Sequence, residues 1–229
     1  MLDCDNSKYK PIRSFGRTKS RKLSDHKKSL FSDLLPKYQL DQTTLNSFAK
    51  NFKEIHLEIG FGFGDFLFET AKNNPTIGFI GCEPHINGLV NLLAKLEAEP
   101  LTNIKIINSD SRPFLTNIPD NIFQKTYILF PDPWPKAKHY KRRLINAKFL
   151  ELLNQKMSKE SELIIASDHD SYKEWILAEI LKSNLFNWIA KSKSDCQIFP
   201  SNWIETKYQK KAANEGRVSV YLNFVKLAN

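Results

Sequence analysis

From about residue 54 the chain alternates between short apolar runs and segments of helical period, and no other feature constrains its fold as much. "EIHLEIG" (54–60) reads as a strand closed by glycine, and "DFLFETAKNN" (65–74) as a helix with Leu67 and Ala71 on one face and an Asn/Pro stop. "TIGFIGCE" is a second strand, "HINGLVNLLAKLEAE" a helix, "NIKIINSD" a third strand and "KTYILFPD" a fourth. "NAKFLELLNQKM" is helical, "ELIIASD" is a fifth strand, and "YKEWILAEILKSN" is helical again. Strands and helices alternating at this spacing predict an α/β protein with a mostly parallel sheet covered on both faces. "RVSVYLNFVK" near the C-terminus has period two and predicts a strand pairing antiparallel at or near an edge.

Several of these strands end on an acid: Glu83, Asp110, Asp132 and Asp168. Ligands of open α/β sheets bind outside the carboxyl ends of the strands, so a row of acids there predicts a site. Any one of them alone is more economically a helix cap. The loop after the first strand carries Gly60, Gly62 and Gly64 with the spacing GxGxG, not the dinucleotide spacing GxGxxG. Glu58 stands two residues before the first glycine. A carboxylate there repels a pyrophosphate and attracts a cation. S-adenosylmethionine carries a sulfonium and an ammonium and no phosphate. Glu83 is placed to accept from two ribose hydroxyls, and Asp110, with Ser111 beside it, from an adenine amino group. The order of the acids favours this site over an α/β domain that binds no nucleotide.

Charge narrows the partner. The 229-residue chain has a net charge of +9 and a pI near 9.3, which points first to a polyanion and then to an acidic membrane surface. No apolar run approaches the ~20 residues that span a bilayer. The polar start "MLDCDNSKYK" is unlike a signal peptide. Cys4, Cys82 and Cys196 form no CxxC pair, which argues against a zinc site or disulfide framework and fits a reducing cytoplasm. Residues 1 to 28 hold nine Lys or Arg against three Asp. We therefore expect a flexible basic arm over 1–30, either a solubilising tail or a nucleic-acid arm, and a single domain over 31–229.

The stretch "ILFPDPWPKAKHYKRR" (128–143) joins these themes. Pro131, Pro133 and Pro135 stiffen a turn that carries Asp132 off the end of a strand. Lys136, Lys138, Lys141, Arg142 and Arg143 follow and suit phosphates, the alternative being a solvated helix start. His139 reaches either phosphate or water. Trp134 is core filler or a stacking surface for a base, with filler favoured. "DHD" at 168–170 has no second ligand cluster to make a metal site. His56, Tyr172 and Trp175 read as core packing.

The Glu-x-Gly-x-Gly-x-Gly loop with its following acids resembles the class I S-adenosylmethionine-dependent methyltransferases. "FPDPWPKAKHYKRR" resembles one branch of them, the bacterial tRNA (guanine-N7-)-methyltransferases, as do "IRSFGRTKSRKL" (12–23), "ASDHDSY" (166–172) and "ETKYQKKA" (205–212). The likeness runs from about residue 12 to near the C-terminus. It implies a Rossmann-like, mostly parallel seven-stranded sheet with helices on both faces and an antiparallel C-terminal strand. It implies an enzyme that methylates the guanosine at position 46 in the tRNA variable loop; we expect it to be cytoplasmic, a monomer or homodimer, and without metal. Glu58, Gly60, Gly62, Gly64, Glu83, Asp110, Ser111 and Asp132 become cofactor-side residues, with Asp132 also catalytic. Lys136, Asp168, Thr206, Lys207, Tyr208 and Gln209 fall where the family meets its RNA. Gln209 departs from the family's usual Glu, which puts a charged role there in doubt, and Ser167 replaces a Thr. The motif at Asp132 is Asp-Pro-Trp, unlike the (Asp/Asn)-Pro-Pro-aromatic motif of amino-group methylation, which remains the lesser reading. An RNA-binding protein without catalysis leaves Glu58, Glu83 and Asp110 unexplained.

Overall fold

A computed structural model describes residues 22–199, 203–205 and 207–228. Residues 1–21 of the basic arm lie outside that range. Within the stretch expected as arm, α1 (Asp25–Ser29) is capped by Ser24 and runs through a π turn at Leu30–Leu34 into α2 (Leu35–Tyr38). Pro36 lacks the N–H that would close the next turn, and the helix widens just before it. The chain is helical from Asp25, and Leu30, Leu35 and Tyr38 are buried, so packing starts at Leu30. Helix α3 (Gln42–Ala49) opens on an Asp41/Thr44 capping box, whose hydrogen bonds hold the Asp41 carboxyl down to about 2.

The alternating segment builds β1 (Glu54–Ile59), α4 (Asp65–Asn73), β2 (Ile77–Cys82), α5 (Ile86–Ala98), β3 (Ile104–Ile107), α6 (Ser111–Thr116), β4 (Phe123–Leu129), α7 (Ala147–Lys156), β5 (Met157–Ser167) and α8 (Asp170–Ser183). After these come β6 (Phe186–Trp188), α9 (Lys207–Asn214) and β7 (Val220–Lys226). The strand order is β3-β2-β1-β4-β5-β7-β6, with the first five parallel and β7 antiparallel to both β5 and β6. This is the expected α/β, Rossmann-like, seven-stranded sheet. The expected C-terminal strand lies one place in from the edge, because the three-residue β6, too short to carry a period, pairs outside it.

The central strands are buried on both faces, which is why they read as apolar runs. Leu57, Ile59, Ile128, Leu163 and Ile165 face one core with residues of α3, α6, α7 and α8. Phe79 and Ile106 face the other, where α5 presents Leu89, Leu92, Leu93 and Leu96 at helical spacing. All four are at most 1 % exposed, so truncating any one to alanine costs about 2–5 kcal/mol. The connection reverses between β1 and β4. From β1 the chain winds outward through β2 to β3, then returns to place β4 on the other side. A crevice opens outside the carboxyl ends of those two strands. Among the described residues no helix is long and apolar enough to cross a membrane.

Candidate functional site

A pocket of about 480 Å³ fills that crevice. Its walls include Gly60 and Gly62 after β1, Glu83 after β2, Asp110 and Ser111 after β3, and Phe130, Pro131, Asp132 and Trp134 after β4. Six of the expected cofactor-side residues thus share one cavity: Gly60, Gly62, Glu83, Asp110, Ser111 and Asp132.

The glycine loop is closed by its own hydrogen bonds. Gly60 N–H donates to the Cys82 carbonyl (2.8 Å), Gly64 N–H to the Phe61 carbonyl (2.8 Å), and Gly62 N–H to Glu83 Oε2 (2.8 Å). Glu83 Oε1 accepts His85 N–H (2.8 Å), so one carboxylate ties the two turns together. All three glycine amides are thus used inside the protein and not offered to a phosphate. Gly64 has φ +74 and caps α4, and a Cβ on it would stand 2.8 Å from Leu92 Cβ, so Gly64 packs behind the pocket instead of lining it. Gly88 carries no signal of its own in the sequence. A Cβ there would lie 2.2 Å from the Gly62 carbonyl oxygen, so α5 touches the loop backbone directly.

Glu58 also lies behind the wall. It is 3 % exposed, its Oε2 has no hydrogen-bond partner among the described residues, and it is not part of the pocket lining. Burial, reinforced by Glu83 and Asp65, pushes its carboxyl up to about 8. Burial thus favours the neutral acid at Glu58, against the standing negative charge expected from its position in the sequence. Burial also raises Glu83, while the His85 and Gly62 amides pull it down and Asp132 adds to the rise. Asp110 differs: burial works against its charge, but Arg112 outweighs it and holds the carboxyl below its ordinary range. Arg112 Nε and Nη2 grip the two Asp110 oxygens at 2.8 and 2.7 Å, and the Arg112 amide caps the same carboxylate at 3.0 Å. Arg112 carried no signal in the sequence beyond standing two residues after an acid.

Asp132 stands at the open mouth of the pocket, exposed yet walled closely enough that desolvation raises its carboxyl. Phe130 (φ +52) and Trp134 (φ +42) flank it in a left-handed backbone that bulky residues rarely adopt. Such strain persists where the surroundings fix it. Phe130 N–H is anchored on the Ala166 carbonyl at 2.9 Å. Trp134 belongs to no core cluster. It lines the pocket, with the Arg142 guanidinium 4.9 Å from its ring centre and His139 edge-on at 5.7 Å. The reading of Trp134 as core filler is thereby replaced: one ring face is covered by a cation at the mouth of the site.

The basic stretch divides. Lys136, Lys138 and Lys141 are exposed on or beside a 3-10 turn at Ala137–Arg142. Arg143 is 2 % exposed and faces inward, so it is not the phosphate contact its neighbours suggested. Asp168, after β5, is ion-paired with Arg217 (Nε to Oδ2, 2.8 Å). Gln209 is buried on α9, where its Oε1 accepts the Trp203 indole N–H at 2.9 Å, and Trp203 packs on Phe66 and Tyr221. A carboxylate at this position would be desolvated. Lys136, Asp168 and Gln209 are not part of the pocket lining. Thr206 lies outside the described residues. Lys207 and Tyr208 open α9, and their side chains lie outside the described range. Among the described residues no group of three His, Cys, Asp or Glu is placed to hold a metal ion.

The cavity fits a cationic nucleoside without phosphate. Its polar lining carries Glu83, Asp110 and Asp132, with Arg112 turned onto Asp110; the three glycine amides are already bonded, and a Cβ at Gly60 would meet nothing within 4 Å, so the loop leaves room there for a ligand. Glu83, Asp110, Ser111 and the loop backbone are the groups that would hold S-adenosylmethionine.

A family described as "Putative methyltransferase" matches residues 53–222. Proteins named "tRNA (guanine-N(7)-)-methyltransferase" are similar over most of the chain. One from Rhodopseudomonas palustris is 37% identical, covering 93% of this chain and 88% of its own. One from Chelativorans sp. is 36% identical, covering 93% and 94%, and one from Agrobacterium fabrum 35%, covering 93% and 94%. Among solved structures, an antibiotic-related methyltransferase superposes with a TM-score of 0.56 at 21% identity, covering 82% of this chain and 94% of that one. The 16S rRNA methyltransferase KamB gives 0.56 at 12%, covering 83% and 95%. At those identities the likeness concerns the fold alone. The sheet order, the acid-lined crevice at the switch point and this similarity along more than nine-tenths of the sequence agree: the chain belongs to the tRNA (guanine-N(7)-)-methyltransferase family.

Proposed function

We propose that this protein transfers a methyl group from S-adenosylmethionine to N7 of a guanosine in tRNA, that the target is position 46 of the variable loop, and that Asp132 is the residue that orients the base. The observation that carries the role of Asp132 is its position: a carboxylate at the mouth of the pocket, on the end of β4, beside the wall that carries Glu83. The cofactor, when bound, supplies an electrophilic methyl group. Guanine N7 offers a neutral lone pair and carries no proton, so no side chain must act as a base toward the nucleophile. The requirements are alignment and stabilisation of the positive charge that grows on the purine. Asp132 serves both by accepting from guanine N1–H and the exocyclic amino group while remaining negative. Its carboxyl is raised by burial, so turnover should fall as the pH drops through that raised value.

The tRNA reading is supported by the net charge of +9 and by the exposed Lys136, Lys138 and Lys141 that follow Asp132 along the chain. N7 lies in the deep groove of regular RNA duplex, so a looped or splayed guanosine is the accessible target. We assign substrate-side roles to Asp168, with Arg217 as its partner, and to the segment Thr206-Lys207-Tyr208-Gln209, in which the buried Gln209 acts from within by holding Trp203. In the same reading the basic leader is an arm preceding a single catalytic domain. The protein acts in the cytoplasm as a monomer or homodimer, and it retains activity in EDTA.

Labelled cofactor and unmodified tRNA, incubated with the protein and digested to nucleosides, test this. We expect label in 7-methylguanosine, lost when position 46 is changed to adenosine. Label in methyladenosine overturns the N7 assignment, and label that survives the change overturns the position.

A further inference from the structure

Arg143 is the last cation of the basic stretch, and it is the one that never reaches the surface. Its guanidinium lies 3.8 Å from the ring centre of Tyr140, 4.9 Å from that of Trp175 and 5.0 Å from that of Tyr172. Nε donates to the Pro133 carbonyl at 2.9 Å, and Nη2 to Ser171 Oγ at 3.3 Å. Among the described residues its hydrogen-bond partners are thus a carbonyl and a hydroxyl, not a carboxylate. A buried cation is retained only if something compensates its lost hydration; here three aromatic faces and a carbonyl dipole do so.

The place it grips matters more than how it is accommodated. Pro133 follows Asp132 directly and precedes Trp134, whose φ is +42. Pro131, Pro133 and Pro135 have no N–H, so this loop can give few main-chain hydrogen bonds to fix itself. Ser171, on the other side, lies in the first turn of α8, three residues after Asp168. Arg143 therefore bridges the loop that carries Asp132 and the turn that carries Asp168. Its own carbonyl is held by Asn146 Nδ2 at 3.1 Å. The cage needs the flat, forked guanidinium: a lysine ammonium keeps the charge but cannot stack on the rings and hold two directed partners at once.

We infer that Arg143 is a positioning residue that sets the orientation of Asp132 by clamping the Pro133 carbonyl, and that it makes no contact with RNA. The inference rests on Asp132 being the base-orienting acid. The test is Arg143→Lys in the full-length protein, measured beside Asp132→Ala. For Arg143→Lys we expect kcat to fall up to about 100-fold, the scale of an ångström-level misplacement. KM for tRNA and the salt slope of tRNA binding should stay within about twofold, because no phosphate contact is lost. The acid limb of the kcat pH profile should move, since Asp132 changes its surroundings; a purely structural arginine would not move it. Ser171→Ala leaves charge and cage intact, removes one anchor, and should lower kcat several-fold. A raised KM with a shallower salt slope and unchanged kcat would make Arg143 a phosphate contact and overturn the inference. So would wild-type kcat in Arg143→Lys, or in Ser171→Ala where the lysine variant does not fold. If Asp132→Ala keeps its turnover, the reading of Asp132 fails. If Asp132→Ala is inactive and Arg143→Lys is normal, only the inference fails.

Discussion

The two walls of the pocket are held by opposite means. On the β1–β2 side, main-chain donors close on one carboxylate: Gly62 and His85 amides both end on Glu83, and α5 sits so close that Gly88 tolerates no side chain. On the β4 side the prolines remove such donors, and side chains take over: Arg143 in its aromatic cage, and Arg142 over Trp134. The first wall is acidic and internally satisfied, as a cationic nucleoside requires. The second carries one carboxylate on a loop that runs on into exposed lysines, as a base with flanking phosphates requires. Rigidity built from backbone and rigidity built from side chains should therefore fail differently under mutation.

The largest effect on the first wall should come from Glu83→Gln. One amide nitrogen would then face a backbone N–H, turning an accepted hydrogen bond into a donor–donor clash and removing the charge. Cofactor affinity should fall about 100-fold by calorimetry, with tRNA affinity unchanged. Equal loss for both ligands would mean that the walls are not separable. Gly88→Ala comes next. Its methyl must push the Gly62 carbonyl, so we expect a loss of about 1–3 kcal/mol in thermal unfolding and a weaker cofactor complex. An unchanged melting temperature would show that α5 can retreat freely.

Glu58 sets a pH dependence. Its folded pKa of about 8 stands above the ordinary value of 4.5, so the neutral form is the one that folding favours. That stability is complete below 4.5 and is lost as the pH rises through about 8. The cofactor-free protein should therefore melt lower at pH 9 than at pH 6, and Glu58→Gln should flatten that difference. The smallest effect belongs to the second wall. Lys138→Ala or Lys141→Ala should each reduce the salt slope of tRNA binding by about 0.7–0.9 if it meets one phosphate, leaving cofactor binding alone. An unchanged slope would mean that these lysines face only water.

Much of this was legible in the sequence, for identifiable reasons. The strand–helix alternation and the acids at Glu83, Asp110 and Asp132 depend on local period and order, which a sequence displays directly. What stayed hidden depends on three-dimensional neighbours. Arg143 looks like Arg142 in sequence, and only the cage formed by Tyr140, Tyr172 and Trp175 separates them. Tyr172 and Trp175 pack as their helical spacing predicts, but they also pack against a cation. Glu58 reads as a charge until the burial of a central strand neutralises it. Gly88 is one more helix residue until α5 meets the loop. Gln209, which departs from the family's usual acid, takes its sense from Trp203, whose indole N–H it accepts.

The central claim is that Asp132 orients the guanine while the other wall holds the cofactor independently. Asp132→Asn tests it most directly, by single-turnover formation of 7-methylguanosine in tRNA together with cofactor and tRNA binding. The account predicts methyl transfer slowed by at least about 100-fold, with both ligands bound within a few-fold of normal. Transfer at the wild-type rate would contradict it.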